Sequence, residues 1–179
     1  MRVIAGRFRR RLLKSAPGLL VRPTPDRLRE SLFSILAPRL PDAVFLDAYA
    51  GSGAVGIEAL SRGAKHVIFI ERNAAALAVL RENLRSLSIA GEATVLRGSA
   101  AVLIPQHAPE IGFIDPPYDQ TGEYAVSLPA LALTSCTLAI AQHSSRLTLE
   151  EHYGELKKAR ALKQGDNSLT FYERAASSM

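Results

Sequence analysis

An acid, two prolines and a tyrosine stand in a row at Asp115-Pro116-Pro117-Tyr118, directly after the apolar run Ile111 to Ile114. A short apolar run of this kind predicts a buried strand, so the four residues fall at a strand's carboxyl end. A carboxylate accepts hydrogen bonds, and proline fixes its own φ and donates no N–H, so the neighbouring carbonyls point where the turn aims them. Asp115 and the Pro116 carbonyl can then accept both hydrogens of an exocyclic amine while the face of Tyr118 stacks on the attached ring. The chemistry on offer is capture of a flat base bearing an amine. Read alone, the tetrapeptide fits a proline-rich turn equally well.

A second group lies upstream. Val44-Phe45-Leu46-Asp47 leads into Gly51-Ser52-Gly53-Ala54-Val55-Gly56, a G-x-G-x-x-G between a strand pattern and a helix pattern, and Glu71 closes the next strand twenty residues past Gly51. Such glycines let the backbone turn tightly and approach a ligand, and an acid at that distance accepts hydrogen bonds from ribose hydroxyls. The group predicts an adenosine-like cofactor and suits a nicotinamide dinucleotide and S-adenosylmethionine alike. Asp47 tilts the choice, because a carboxylate there repels a pyrophosphate but suits an ammonium tail and a sulfonium centre. The same acid could also cap the loop through the N–H groups of residues 50–53, and both roles could hold at once. Asp115 decides more strongly, since hydride transfer has no use for an amine acceptor.

The elements that must position these residues read as an α/β alternation. Strands are expected near 43–47, 66–71, 93–97, 110–114 and 136–142, and helices near 54–62, 74–87, 99–104 and 122–133, the pattern of a parallel sheet with helices on its faces. Two further extended segments near 155–163 and 167–174 flank the turn Gly165-Asp166-Asn167 and predict an antiparallel hairpin at the sheet edge. Before the sheet, residues 1–21 read as an extended basic arm able to form a hairpin. Thr24-Pro25-Asp26 opens a helix with Thr24 as N-cap and Pro25 at the first helical position. Leu28, Leu32, Ile35 and Leu36 form its apolar stripe, Arg27 and Arg29 lie opposite, and Pro38 ends it. The expected division is residues 1–40 as a basic extension packed on a core domain at 41–179, the whole forming one compact unit.

Charge is placed unevenly. Residues 1–39 hold ten Lys and Arg against Asp26 and Glu30, a net +8, which leaves −3 for the remainder of a chain with net charge +5. A local positive patch suits phosphates and gives binding that weakens with salt; otherwise it is a solvated face. Cys136 is the only cysteine and the four histidines lack ligand spacing, so neither a disulfide framework nor a metal site is expected, and a reducing, cytoplasmic setting follows. Arg9-Arg10-Arg11 precedes no apolar segment, so neither export nor a membrane span is expected.

The stretch from Leu46 to Ala64, with its A-G-S-G-A-V-G centre, resembles the first motif of the bacterial small-subunit rRNA guanine-N2 methyltransferases. Ile4-Ala5-Gly6-Arg7-Phe8-Arg9 and Arg22-Pro23-Thr24-Pro25-Asp26-Arg27-Leu28-Arg29-Glu30 are similar to that family's arm and first helix, Asp115 to Tyr118 to its catalytic motif, and Gly165 to Leu169 with Phe171-Tyr172 to its last hairpin. The departures are Tyr49 for a usual phenylalanine, Arg10 for a glycine, Ser99 for an acid or amide near the adenine, and Gln142-His143 where a glutamate is usual. The resemblance implies a Rossmann-like class I methyltransferase sandwich, with a seven-stranded, mostly parallel sheet and one antiparallel strand. It implies S-adenosylmethionine as cofactor, held by Asp47, Ala50, Gly51, Ser52, Gly53, Glu71, Arg72, Ser99 and Ala100. Asp115, Pro116, Pro117 and Tyr118 would be catalytic, and Arg7, Arg9, Arg10, Arg11, Lys14, Arg22, Arg27 and Arg29 would grip RNA. The expected partner is ribosomal RNA or the assembled small subunit, met by a monomer. An adenine-N6 or cytosine-N4 DNA methyltransferase would use the same D-P-P-Y chemistry, and a cofactor-holding RNA binder would transfer nothing.

Overall fold

In the computed structural model, residues 1–15 and 25–175 are described. Thr24, expected as an N-cap, and Arg22, expected on RNA, lie outside them.

The apolar runs form the middle of one sheet. Strands β1 (Val44–Asp47), β2 (His66–Glu71), β3 (Ala93–Arg97), β4 (Ile111–Ile114) and β5 (Leu138–Ser144) are followed by β6 (His152–Tyr153), β7 (Leu156–Gln164) and β8 (Asn167–Arg174). Their order across the sheet is β3-β2-β1-β4-β5-β8-β7-β6. The first five are mutually parallel, so their carboxyl ends share one crest. Strand β8 runs antiparallel to β5, β7 to β8, and β6 to β7. Among the described residues the sheet therefore has eight strands where seven were expected, and the extra one is β6. Two residues cannot display the alternation by which a strand is recognised. The β7–β8 hairpin turns at Gly165, whose φ is +61°. Its second strand lies inside the sheet, and β6 rather than the hairpin takes the edge.

Alternation along the strands divides the core in two. Phe45, Val67, Phe69, Phe113 and Ile140 face one side, where α1 (Asp26–Leu36), α2 (Ala54–Ser61) and α3 (Ala74–Ser86) pack with Val3 and Leu13 of the arm. Leu46, Ile68, Ile70, Ile114 and Ala139 face the other, covered by α4 (Ala100–Leu103) and α5 (Glu123–Ala132). Helix α1 starts one residue later than expected, with Pro25 as N-cap at φ −53° and ψ 137°. The helix expected over 99–104 stops at Leu103 and tightens into a 3-10 turn, Ile104–Gln106, that contains Pro105. Among the described residues no helix is long and apolar enough to cross a membrane.

The arm doubles back on itself. Arg2 and Leu12 form an antiparallel bridge, Val3 N–H donates to the Arg11 carbonyl at 3.0 Å, and Arg10, at φ +70°, lies in the turn. Val3 and Leu13 carry the apolar side of this loop into the core, while Leu12 stays exposed.

Candidate active site

Asp115 to Tyr118 follow β4 at the crest of the sheet, and on the same crest Gly51 follows β1, Glu71 ends β2 and Gly98 to Ala100 follow β3. Ligands bind outside the carboxyl ends of such strands, and here a cleft of about 520 Å³ brings the two sequence motifs together. Its wall includes Gly51, Glu71, Arg72, Ser99 and Ala100 on one side and Asp115 to Tyr118 on the other.

The glycine loop divides into residues that face the cleft and residues that hold them there. Gly51, at φ +55°, faces it, and a Cβ built on this residue would meet nothing within 4 Å, so the loop leaves open space for a ligand. Its N–H donates to Glu71 Oε2 at 2.8 Å, and Glu71 Oε1 accepts from Asn73 N–H at 2.7 Å. A carboxylate so anchored keeps lone pairs for ribose hydroxyls. Ser99 is exposed at the start of α4 without capping it, which leaves its hydroxyl for a ligand. Arg72 reaches across the rim to Gln120 Oε1 and stands 3.8 Å from Glu123.

Ala50, Ser52 and Gly53 lie behind this wall. Gly53, at φ +86°, is the N-cap of α2, and a Cβ there would come within 2.3 Å of Leu80. Asp47 corrects the expectation drawn for it. It is 2% exposed, does not line the cleft, and accepts a hydrogen bond at 3.0 Å from Gly56 N–H, an otherwise unpaired donor in the first turn of α2. It caps the first turn of α2, and its partner is Gly56 rather than residues 50–53. Burial pushes its carboxyl up to about 7, partly opposed by the Gly56 bond. Gly56 itself packs α2 against β2 so closely that a Cβ would fall 2.2 Å from the Phe69 ring.

Around Asp115 to Tyr118, side chains from three strand ends converge. Tyr118 is 54% exposed, and its hydroxyl donates to Asn167 Oδ1 at 3.2 Å. The tip of the β7–β8 hairpin thus fixes the ring over the cleft. Behind Asp115 lies a recess of about 20 Å³, bordered by Tyr124, Gln142, His143 and Asn167. Tyr124 donates to the Gln142 carbonyl at 2.6 Å, and burial raises its pKa. His143 is tied at both ring nitrogens, to the Ser144 carbonyl and Thr170 Oγ1, each at 2.8 Å. Burial lowers its pKa, which keeps the ring neutral. The hydroxyl that distinguishes Tyr49 from phenylalanine bonds Glu123 at 2.7 Å and Ser127 at 2.6 Å.

The expected RNA-gripping cations fare unequally. Arg29 is fully buried; it donates to the Arg2 carbonyl at 2.8 Å and to Asp26 at 3.0 Å, so it is unavailable to phosphate. Arg7 makes two bonds to Glu92, at 3.0 and 2.9 Å, Lys14 pairs with Glu82, and Arg11 donates to the Ser86 carbonyl at 2.9 Å. Arg9, Arg10 and Arg27 are exposed and in no ion pair among the described residues. Glu92 immediately precedes β3, and its carbonyl accepts from Val67 N–H near the start of β2. Arg7 therefore lies at the amino ends of the strands. A six-residue strand such as β2 puts roughly 17 Å between those ends and the crest that carries Asp115.

Two positioning residues escaped the sequence reading. Glu58 on α2 is fully buried and accepts from Ile4 N–H at 2.8 Å and Ala5 N–H at 3.0 Å while pairing with Arg62 at 2.7 Å. Asn83 on α3 accepts from Lys14 N–H at 2.8 Å and donates to the carbonyls of Lys14 and Ser52, at 3.0 and 2.9 Å. Only a polar residue at a buried helical position hinted at either.

A mostly parallel sheet of this order, with the glycine loop, the ribose acid and the D-P-P-Y turn around one crest cleft, defines a class I, S-adenosylmethionine-dependent methyltransferase. The family described as Conserved hypothetical protein 95 matches over residues 1–173, and the chain belongs to it. A Bacillus subtilis protein named "Putative rRNA methyltransferase YlbH" is 34% identical over 187 residues, covering 97% of this chain and 99% of its own length. The Escherichia coli protein named Ribosomal RNA small subunit methyltransferase D is 45% identical over 122 residues, 66% of this chain and 60% of its own length. Among solved structures, the Escherichia coli protein titled "Putative methyltransferase yhhF" superimposes with a TM-score of 0.85 at 34% identity, covering 97% of each chain.

Proposed function

We propose that this chain methylates the exocyclic N2 amine of a guanine in small-subunit ribosomal RNA. The observation that carries this reading is the meeting of D-P-P-Y with the glycine loop and Glu71 around one cleft. Its volume falls within the roughly 300–1,000 Å³ usual for small-molecule sites. Its donors and acceptors also suit the cofactor, with open space at Gly51, a ribose acceptor in Glu71 and a free hydroxyl at Ser99. S-adenosylmethionine, when bound, supplies an electrophilic methyl group.

The chain's own residues do the rest. A guanine amine is a poor nucleophile because its lone pair is delocalised into the ring. Hydrogen bonds from the NH2 to Asp115 and the Pro116 carbonyl pyramidalise the nitrogen and aim its lone pair into the cleft. The amine proton becomes acidic only as nitrogen forms its new bond, and the Asp115 carboxylate can accept it. Tyr118 stacks on the base, held by Asn167. A base within a helix cannot reach this turn, so the target is unpaired or extruded. The related rRNA methyltransferases support ribosomal RNA as substrate. We place the reaction in the cytoplasm, on the assembled small subunit, with the enzyme a monomer.

The test is transfer of labelled methyl from S-adenosylmethionine to undermethylated small-subunit particles, followed by nucleoside digestion and mass identification. N2-methylguanosine is expected. Methylated adenine or cytosine would reassign the base. Asp115→Ala should abolish transfer while cofactor binding persists, and turnover retained by that variant would remove Asp115 from the mechanism.

A further inference from the structure

An extruded nucleotide brings its own phosphates to the mouth of the cleft, yet the arm's Arg7 lies about a strand's length away, at the opposite end of the sheet. A second cationic feature lies at the mouth itself. Arg146 occupies the turn after β5, where Leu147 N–H closes on the Ser144 carbonyl at 3.0 Å; Ser144 and Leu147 both border the recess behind Asp115, so Arg146 stands on its rim. Ser145 N–H donates to the Asp166 carbonyl at 2.9 Å, which ties this turn to the hairpin tip that holds Tyr118. On the hairpin, Lys163 pairs in register with Ser168 and Ser168 with His143, so Lys163 shares a sheet face with His143 two strands away, roughly 10 Å across the sheet. Arg146 and Lys163 are both exposed, and neither is in an ion pair among the described residues.

We infer that Arg146 and Lys163 form a phosphate clamp for the RNA backbone beside the target nucleotide, an assignment that rests on the RNA-methylating reading of the cleft. The hairpin tip then serves twice: Asn167 fixes the ring that stacks on the base, while Lys163 and the adjoining Arg146 hold the strand that delivers it. Asp166, exposed at the tip between them, opposes the clamp with its charge.

The experiment measures fluorescence anisotropy of a short labelled single-stranded RNA against salt, together with KM for undermethylated small-subunit particles. Each lost phosphate contact removes about 0.7 from the slope of log K against log salt, so Arg146→Ala/Lys163→Ala should flatten it by about 1.4 and raise KM roughly 10-fold. Asp166→Asn should move binding the other way. Cofactor affinity, read by calorimetry, should not change in the double variant, which also serves as the check on folding. A slope and KM equal to those of the parent protein overturn the clamp. Methyl transfer by the parent protein tests the reading beneath it separately: absence of transfer with a flattened slope leaves the clamp and removes the enzyme, and normal transfer with an unchanged slope does the reverse.

Discussion

Glu58→Gln should free the arm from the body of the protein. Glu58 is completely buried, yet its two oxygens serve three donors: Ile4 N–H, Ala5 N–H and the Arg62 guanidinium. Arg29 is buried nearby, and its pKa is lowered by that burial while Glu58 works in the opposite direction. An amide of equal size keeps one carbonyl oxygen for one backbone donor, turns an N–H toward another, and removes the negative charge. Hydrogen bonds to a charged acceptor contribute about 1.5–3 kcal/mol each, and breaking a buried pair from one side costs about 3–5 kcal/mol. A loss of about 3–5 kcal/mol follows for the whole substitution, a large part of the roughly 5–15 kcal/mol that holds a domain together. Thermal melting should fall by roughly 10 °C. Hydrogen exchange locates the damage: amides of Ile4, Ala5, Arg7 and Phe8 should lose protection well before those of β1 and β4. A melting temperature within about 2 °C of the parent, with those amides still protected, would refute the reasoning.

Two further outcomes test the crest. The folded carboxyl of Asp47 sits near 7 against 3.8 when free, so its contribution to stability is fully present below pH 3.8 and is lost as pH rises through 7. Asp47→Asn keeps an acceptor for Gly56 N–H but cannot ionise. Urea midpoints should therefore show the variant gaining on the parent by roughly 1.4 kcal/mol per pH unit across that window, over a constant offset, and parallel curves would exclude a buried, ionising Asp47. Tyr118→Phe removes both hydroxyl bonds that orient the ring, to Asn167 Oδ1 and to the Asp166 carbonyl, and Asn167→Ala removes the first of them, so each should raise KM for RNA several-fold. The pair combined should do no more than Tyr118→Phe alone, and additive losses would mean that Asn167 acts through something other than the Tyr118 hydroxyl.

Most of the scaffold was legible because its signals are local. The apolar runs gave β1 to β5 to within two residues, and the spacing of Gly51 and Glu71 pointed to two residues that line one wall of the cleft. Long-range polar contacts were not legible. Nothing near Glu58 in the sequence announces that its partners are Ile4 and Ala5, more than fifty residues away. Arg29 is a different failure, because the signal was present. At about 100° per residue, Leu36 and Phe33 fall on either side of Arg29, inside the buried face, but a stripe drawn through Leu28, Leu32, Ile35 and Leu36 stops just short of the arginine and leaves out Phe33 beyond it, which turns the arginine toward water. Asp47 was read from its place in the motif, while its burial depended on how closely Gly56 brings α2 to β2.

The arm's position has a consequence for selectivity. The arm is pinned to α2, while the acceptor turn sits at the far end of a packed sheet that does not shorten. A ligand that touches Arg9 or Arg10 and also offers a base to Asp115 must span a fixed gap along the protein's surface. A short oligonucleotide bearing the correct base satisfies one end of that gauge, whereas a large folded particle can meet both. Sequence need not be read letter by letter when the interval between two anchor points already rejects most of what could enter the cleft.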